Sequence, residues 1–171
     1  MKALGFIGTG GMGSGMAANL IKAGYRLVVS DLSREQAGGL ESQGAKFADT
    51  PKAVAESCDL VLSMLPNNDA VKVVGLGKEG LAEATTGAKV WIDFSSIDKE
   101  TIVKMSGELA KTGWTVVDAA AGGVEEVAAA GELALWLSGS KVLFDEHQPI
   151  FKAMGKSILH VGELGNAKLV K

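Results

Sequence analysis

A chain of 171 residues, 47% of them hydrophobic, is long enough for one domain with a substantial core. Mean hydropathy is +0.21, yet no apolar run approaches the ~18 residues of a membrane span, and the start MKALGFIG carries no secretory signal pattern. A net charge of −3, with no basic block interleaved with aromatics, argues against a nucleic-acid partner. The lone cysteine, Cys58, precedes an apolar run and reads as a small buried side chain in a reducing, cytoplasmic setting.

Strand and helix signals alternate along the chain. KALGFIG (2–8) is an apolar run suited to a buried strand. Over 11–24, Met12, Met16, Asn19, Leu20 and Ala23 recur at helical spacing, and Gly24 supplies a C-terminal stop. RLVVSD (26–31) reads as a strand, and the next helix, 33–44, opens on a capping box formed by Ser33 and Gln36. A short strand at 45–48 precedes a helix with Thr50 as N-cap and Pro51 in its first turn. DLVLSML (59–65) is a strand, 67–85 a broken helix, and KVWIDF (89–94) a strand again. Asp98 caps a helix over 98–113. Strands at 114–120 and 133–139 flank a small-residue loop, a helix interrupted near Pro149 follows, and 157–162 is the last strand. Trp91, Trp114 and Trp136 each lie in a strand signal and are expected in the core. His147 and His160 show no metal-pair spacing. Uninterrupted apolar strands between helices imply an α/β fold, a doubly wound, mostly parallel sheet covered on both faces.

The stretch GFIGTGGMGSGMAANL (5–20) holds six glycines. Gly8-x-Gly10-x-x-Gly13 follows the first strand and opens a helix, the context in which this spacing marks a dinucleotide site. The first glycine permits a tight turn, the second lets the backbone approach a pyrophosphate, and the third lets helix pack on strand. The helix N-terminus then offers free N–H groups and partial positive charge to the phosphates. Asp31 ends the second strand 18 residues beyond Gly13. A carboxylate there accepts from a ribose 2′-hydroxyl and repels a 2′-phosphate, which favours NAD over NADP. Arg34, three residues on, is the group that would serve a 2′-phosphate instead, and it keeps NADP open.

These residues resemble the β-hydroxyacid dehydrogenase family, which includes 3-hydroxyisobutyrate dehydrogenases and tartronate semialdehyde reductases. The opening matches its G-F-I-G-x-G-x-M-G-x-x-M-A-x-N-L signature, with Gly11 and Met12 inside it. MLPN (64–67) resembles the family's cofactor-contacting turn, which implies roles for Leu65, Pro66 and Asn67. DFSS (93–96) resembles D-x-S-T and implies Ser95 and Ser96 on the nicotinamide side. DAAAGGVEEVAAAG (118–131) resembles the substrate loop D-A-P-V-S-G-G, with Gly122 at the serine position and Gly123 beside it. GELGNAKLVK (162–171) resembles G-x-G-x-x-x-K-x-x-x-N. With Gly162 and Gly165 as the glycine pair, spaced one residue wide, Lys168 is implied as the catalytic lysine and Lys171 is left unsupported.

The resemblance implies a Rossmann-type NAD(P)-binding domain over 1–162 and the start of an interdomain helix over 163–171, the family's helical C-terminal domain being absent from this chain. The implied activity is hydride transfer between NAD(P) and a small, carboxylate-bearing 3-hydroxy acid or its semialdehyde, in a homo-oligomer with neither nucleic acid nor membrane as partner. Such chemistry needs one group that takes the hydroxyl proton and returns it. A lysine does so if burial or a helix N-terminus lowers its pKa. Two other readings stay open: a non-catalytic dinucleotide-binding module, which has no use for the lysine, and an imine-reductase-like enzyme, which typically lacks it.

Overall fold

The computed structural model describes residues 3–171; Met1 and Lys2, the latter the start of the first predicted strand, lie outside the described residues. The strands are β1 (Leu4–Ile7), β2 (Leu27–Ser30), β3 (Lys46–Phe47), β4 (Leu60–Ser63), β5 (Val90–Asp93), β6 (Thr115–Gly122), β7 (Leu133–Ser138) and β8 (Gly155–His160). They form one sheet in the order β3-β2-β1-β4-β5-β6-β7-β8. The order reverses beside β1, where ligands of open α/β sheets gather at the carboxyl ends of the strands.

Strands β1 to β6 pair in parallel, whereas β7 runs antiparallel to β6 and parallel to β8. The connection 123–132 explains the reversal: it holds only the short helix α6 (Glu125–Ala129), too little for a crossover back to a parallel neighbour.

Alternate residues of each strand feed opposite faces of the sheet, which is why β1, β2 and β4 are buried at every position. Leu4, Phe6, Leu60 and Leu62 join the core under α1 (Gly11–Lys22) and the last helices. Ile7, Val61 and Trp91 join the other, under α3 (Pro51–Ser57), α4 (Asn68–Leu76) and α5 (Lys99–Ala110). The expected caps form at Thr50 and Asp98, whose side chains accept from Ala53 N and Thr101 N. The box at Ser33 does not. Its side chain makes no cap bond, and the segment is a 3₁₀ turn (Arg34–Ala37) leading to the short helix α2 (Gly38–Ser42). Gly38 and Gly39 open that helix, and two adjacent glycines raise the entropy cost of extending it.

Cys58 is 3% exposed, and burial together with the neighbouring Asp59 carboxylate pushes its thiol up to about 12. The thiolate is the reactive form. Native protein at pH 8 is therefore expected to leave Ellman's reagent unreacted until denaturant is added. Rapid labelling of the folded chain would show that Cys58 is accessible. Among the described residues, no helix is long and apolar enough to cross a membrane, and no cluster of three metal-ligating side chains occurs.

Candidate functional site

A cleft of about 860 Å³ opens at the carboxyl edge of β1, β2 and β4. Gly8, Gly10, Gly11, Met12, Gly13, Asp31, Leu65 and Pro66, all expected at the cofactor, line it together. Gly8 has φ +93°, and its N–H donates to Ser30 O at 3.0 Å. A Cβ on Gly8 would run into the Met64 carbonyl oxygen, and one on Gly13 into the carbonyl oxygen of Gly8. The first turn of α1 carries no acidic residue and no side-chain cap, so its amide groups lack a partner from their own helix, while the Glu125 carboxylate of α6 stands against Gly11 at the same end. A backbone cradle that side chains would fill, at the start of a three-turn helix, fits a pyrophosphate.

Asp31 is tied to this loop. Its Oδ2 accepts from Thr9 N at 2.8 Å and from the Thr9 hydroxyl at 3.3 Å, while Oδ1 accepts from Ser33 N at 3.0 Å. A carboxylate has about four acceptor positions, so one remains for a ribose hydroxyl. The carboxylate thus closes the turn and still faces the cleft. Arg34 is committed elsewhere: it pairs with Glu41 at 3.0 Å and lies 4.9 Å over the Phe47 ring, outside the cleft lining.

Three of the expected cofactor residues sit behind or beside the cleft. Asn67 spends its side chain as the N-cap of α4, accepting from Ala70 N. Ser95 is fully buried; it accepts from Leu65 N at 2.8 Å and donates to Asp93 Oδ1 at 2.6 Å, so it fixes the Leu65 turn from beneath. Ser63 donates to the same Asp93 oxygen and accepts from Trp91 Nε1. Ser96 is exposed, and its hydroxyl accepts from Lys171 Nζ at 2.9 Å.

Lys168 occupies a different place from the one expected of a proton carrier. Its side chain is 1% exposed. The ammonium donates to Ser95 O and Ala119 O at 2.7 Å each and to Asp93 O at 3.1 Å, and it pairs with Asp118 Oδ1 at 3.0 Å and Asp93 Oδ2 at 3.3 Å. Enclosed by five oxygens, it ties the 3₁₀ turn Ala167–Leu169 to the carboxyl ends of β5 and β6. The same turn is held by Ala167 N donating to Ser138 Oγ, which in turn donates to Asp118 Oδ2. Lys171 is the exposed lysine of the pair, and partial burial and the charge of Lys168 lower its pKa. A signal for it was in the sequence: Gly165-x-Ala167-x-x-x-Lys171 fits G-x-G-x-x-x-K without an insertion once Ala167 takes the second glycine's place.

Gly122 and Gly123 lie outside the cleft lining, at the end of β6 and just beyond it. A Cβ on Gly122 would stand 2.7 and 2.9 Å from Cζ3 and Cη2 of Trp136, so the indole fills the volume a serine would need. Gly123 has φ +142° and lies against Leu133 and Val127. Trp136 also departs from expectation. Trp91 and Trp114 are core residues at 0% and 3% exposure, but Trp136 is only partly buried and belongs to neither core cluster.

A family model described as the NAD binding domain of 6-phosphogluconate dehydrogenase matches residues 3–162. The chain belongs to that family. Among curated relatives of this NAD-binding domain, a 3-hydroxyisobutyrate dehydrogenase of Pseudomonas aeruginosa is 37% identical over 171 residues, covering 100% of this chain and 57% of the relative. A probable mitochondrial 3-hydroxyisobutyrate dehydrogenase of Dictyostelium discoideum is 35% identical over 170 residues, covering 99% and 53%. Among solved structures, Mycobacterium tuberculosis 3-hydroxyisobutyrate dehydrogenase with L-serine superposes with a TM-score of 0.91 at 29% identity, covering 99% of this chain and 57% of that one. The chain therefore spans about half the length of the curated relatives it matches.

Proposed function

We propose that this NAD-binding domain serves an oxidoreductase that moves a hydride between NAD and a small 3-hydroxy acid or its semialdehyde. The observation that carries the reading is the glycine cradle at the start of α1 with Asp31 fastened beside it. Gly8, Gly10 and Gly13 would hold the pyrophosphate against the helix amides, and Asp31 the adenosine ribose. Leu65 and Pro66 would flank the nicotinamide, with Ser95 holding their turn. The bound nicotinamide supplies the hydride acceptor and donor; the protein must supply the proton path.

For that path we assign Lys171 rather than Lys168. Oxidation needs a neutral amine to take the alcohol proton, and reduction needs the ammonium to return it. Lys171 has the lowered pKa and the surface position this requires. Lys168 would act as the positioning residue, its ammonium fixing the turn that presents Lys171 at Ser96. A cytoplasmic homo-oligomer without nucleic-acid partners belongs to the same proposal, supported by the buried single thiol and the mild negative charge.

NAD is proposed over NADP. Besides Asp31, the cleft lining carries Asp49, Asp69, Glu79 and Glu125 against one ammonium, Lys78, so a 2′-phosphate would enter a negative field. Fluorescence titration should find NADH bound more tightly than NADPH. Asp31→Asn, which removes the charge and keeps an acceptor, should narrow the gap by about 1–3 kcal/mol. Tighter binding of NADPH by the unaltered protein would reverse the assignment. Turnover of 3-hydroxy acids with NAD, followed by absorbance of the reduced cofactor, tests the activity itself.

A further inference from the structure

We infer that Trp136, seated over Gly122, is a specificity-determining wall of the substrate site and selects 3-hydroxy acids with an apolar substituent at C2 over those with a hydroxyl there. This rests on the dehydrogenase reading above.

The register places the wall. Asp118 pairs with Ser138, Ala120 with Trp136 and Gly122 with Ala134, and residues directly opposite in an antiparallel pair project from the same face. Lys168 binds Asp118 and Ala167 N binds Ser138, so the lysine-bearing turn packs on that face. Trp136 is the next rung toward the carboxyl end of β6, about 7 Å further along.

The chemistry of the wall follows from what surrounds it. Residues 119–124 read Ala-Ala-Ala-Gly-Gly-Val, without one side-chain hydrogen-bond donor. The benzo edge of Trp136, not its N–H, lies on Gly122. Lys171 and Ser96 supply the polar side of the site. A substrate spanning the two would meet ammonium and hydroxyl at one end and an aromatic surface at the other. A hydroxyl pressed on that surface would lose water without a replacement partner.

Two acids isolate this effect, because 3-hydroxyisobutyrate and glycerate differ by a methyl against a hydroxyl at C2. With NAD saturating, kcat/KM should favour 3-hydroxyisobutyrate by roughly tenfold or more. Trp136→Phe should keep the preference, while Trp136→Gln, whose amide offers the C2 hydroxyl a partner, should bring the ratio to within about threefold. An unchanged ratio in Trp136→Gln would overturn the inference. A second readout needs no turnover, since Trp136 is the tryptophan open to solvent. Acrylamide quenching of the NAD-loaded protein should fall on adding 3-hydroxyisobutyrate but not glycerate. If neither acid is turned over, the dehydrogenase reading fails and quenching decides: protection by the methyl acid alone keeps Trp136 as a selective wall, and equal or absent protection removes it.

Discussion

Lys168→Met is expected to destabilise the domain by about 3–5 kcal/mol, the cost of leaving a buried charge without its partner. Asp93 and Asp118 are both 0% exposed, and the Lys168 ammonium is the cation that both of them meet. Removing it leaves two carboxylates facing each other at the ends of adjacent strands, together with the carbonyls of Ser95 and Ala119. Lys168→Arg should not restore stability, because a planar guanidinium cannot reproduce one compact donor among five oxygens. Urea unfolding followed by circular dichroism measures this. A midpoint unchanged from that of the unaltered chain would show that the cluster contributes nothing net and that Lys168 is free for another task.

Lys171→Ala should have the opposite profile. Stability should change little, since the side chain sits at the surface with one hydroxyl partner, while kcat falls by the ~10²–10⁴ expected for loss of an acid–base group. NADH affinity should hold, because the glycine loop and Asp31 lie on other strands. Arginine should not rescue turnover, for it stays protonated. The pH dependence follows from the lowered pKa. Oxidation should rise with pH as the amine loses its proton, on a limb below the ordinary lysine range, and reduction should fall over the same interval. Loss of that limb in Lys171→Ala, against a limb that remains but moves to higher pH in folded Lys168→Met, which lacks the charge that helps lower the Lys171 pKa, would separate the two lysines. Full activity without Lys171 would return the proton path to another residue.

These two residues show where sequence reasoning reached and where it stopped. The glycine loop, Asp31 and the eight strands were legible because each is written locally: a glycine spacing after a strand, an acid at a strand end, apolar runs between caps. The reversal of β7 was not, since only the shortness of the 123–132 connection hints at it. The partners of Lys168 lie 49 to 75 residues away in the chain, and no local spacing encodes them. The glycine pair at 162 and 165 drew the reading to Lys168, three residues before the Lys171 proposed above, because Ala167, which would take the second glycine's place, carries no turn signal of its own. Gly122 was legible as a departure from the serine that the resemblance implies, but its surroundings were not. Trp136, on the neighbouring strand, fills the volume a side chain at 122 would need.

A dinucleotide held by the backbone at the start of α1 is tested most directly by one titration. NADH emission is to be followed against this chain and against Gly13→Ala, with circular dichroism confirming that both are folded. The added methyl group would press on the Gly8 carbonyl and displace the loop from the pyrophosphate. Saturable binding by the unaltered chain and at least a roughly tenfold loss in the folded variant, equal to about 1.4 kcal/mol, is the predicted result. Equal binding by both chains, or none by the unaltered one, would contradict it.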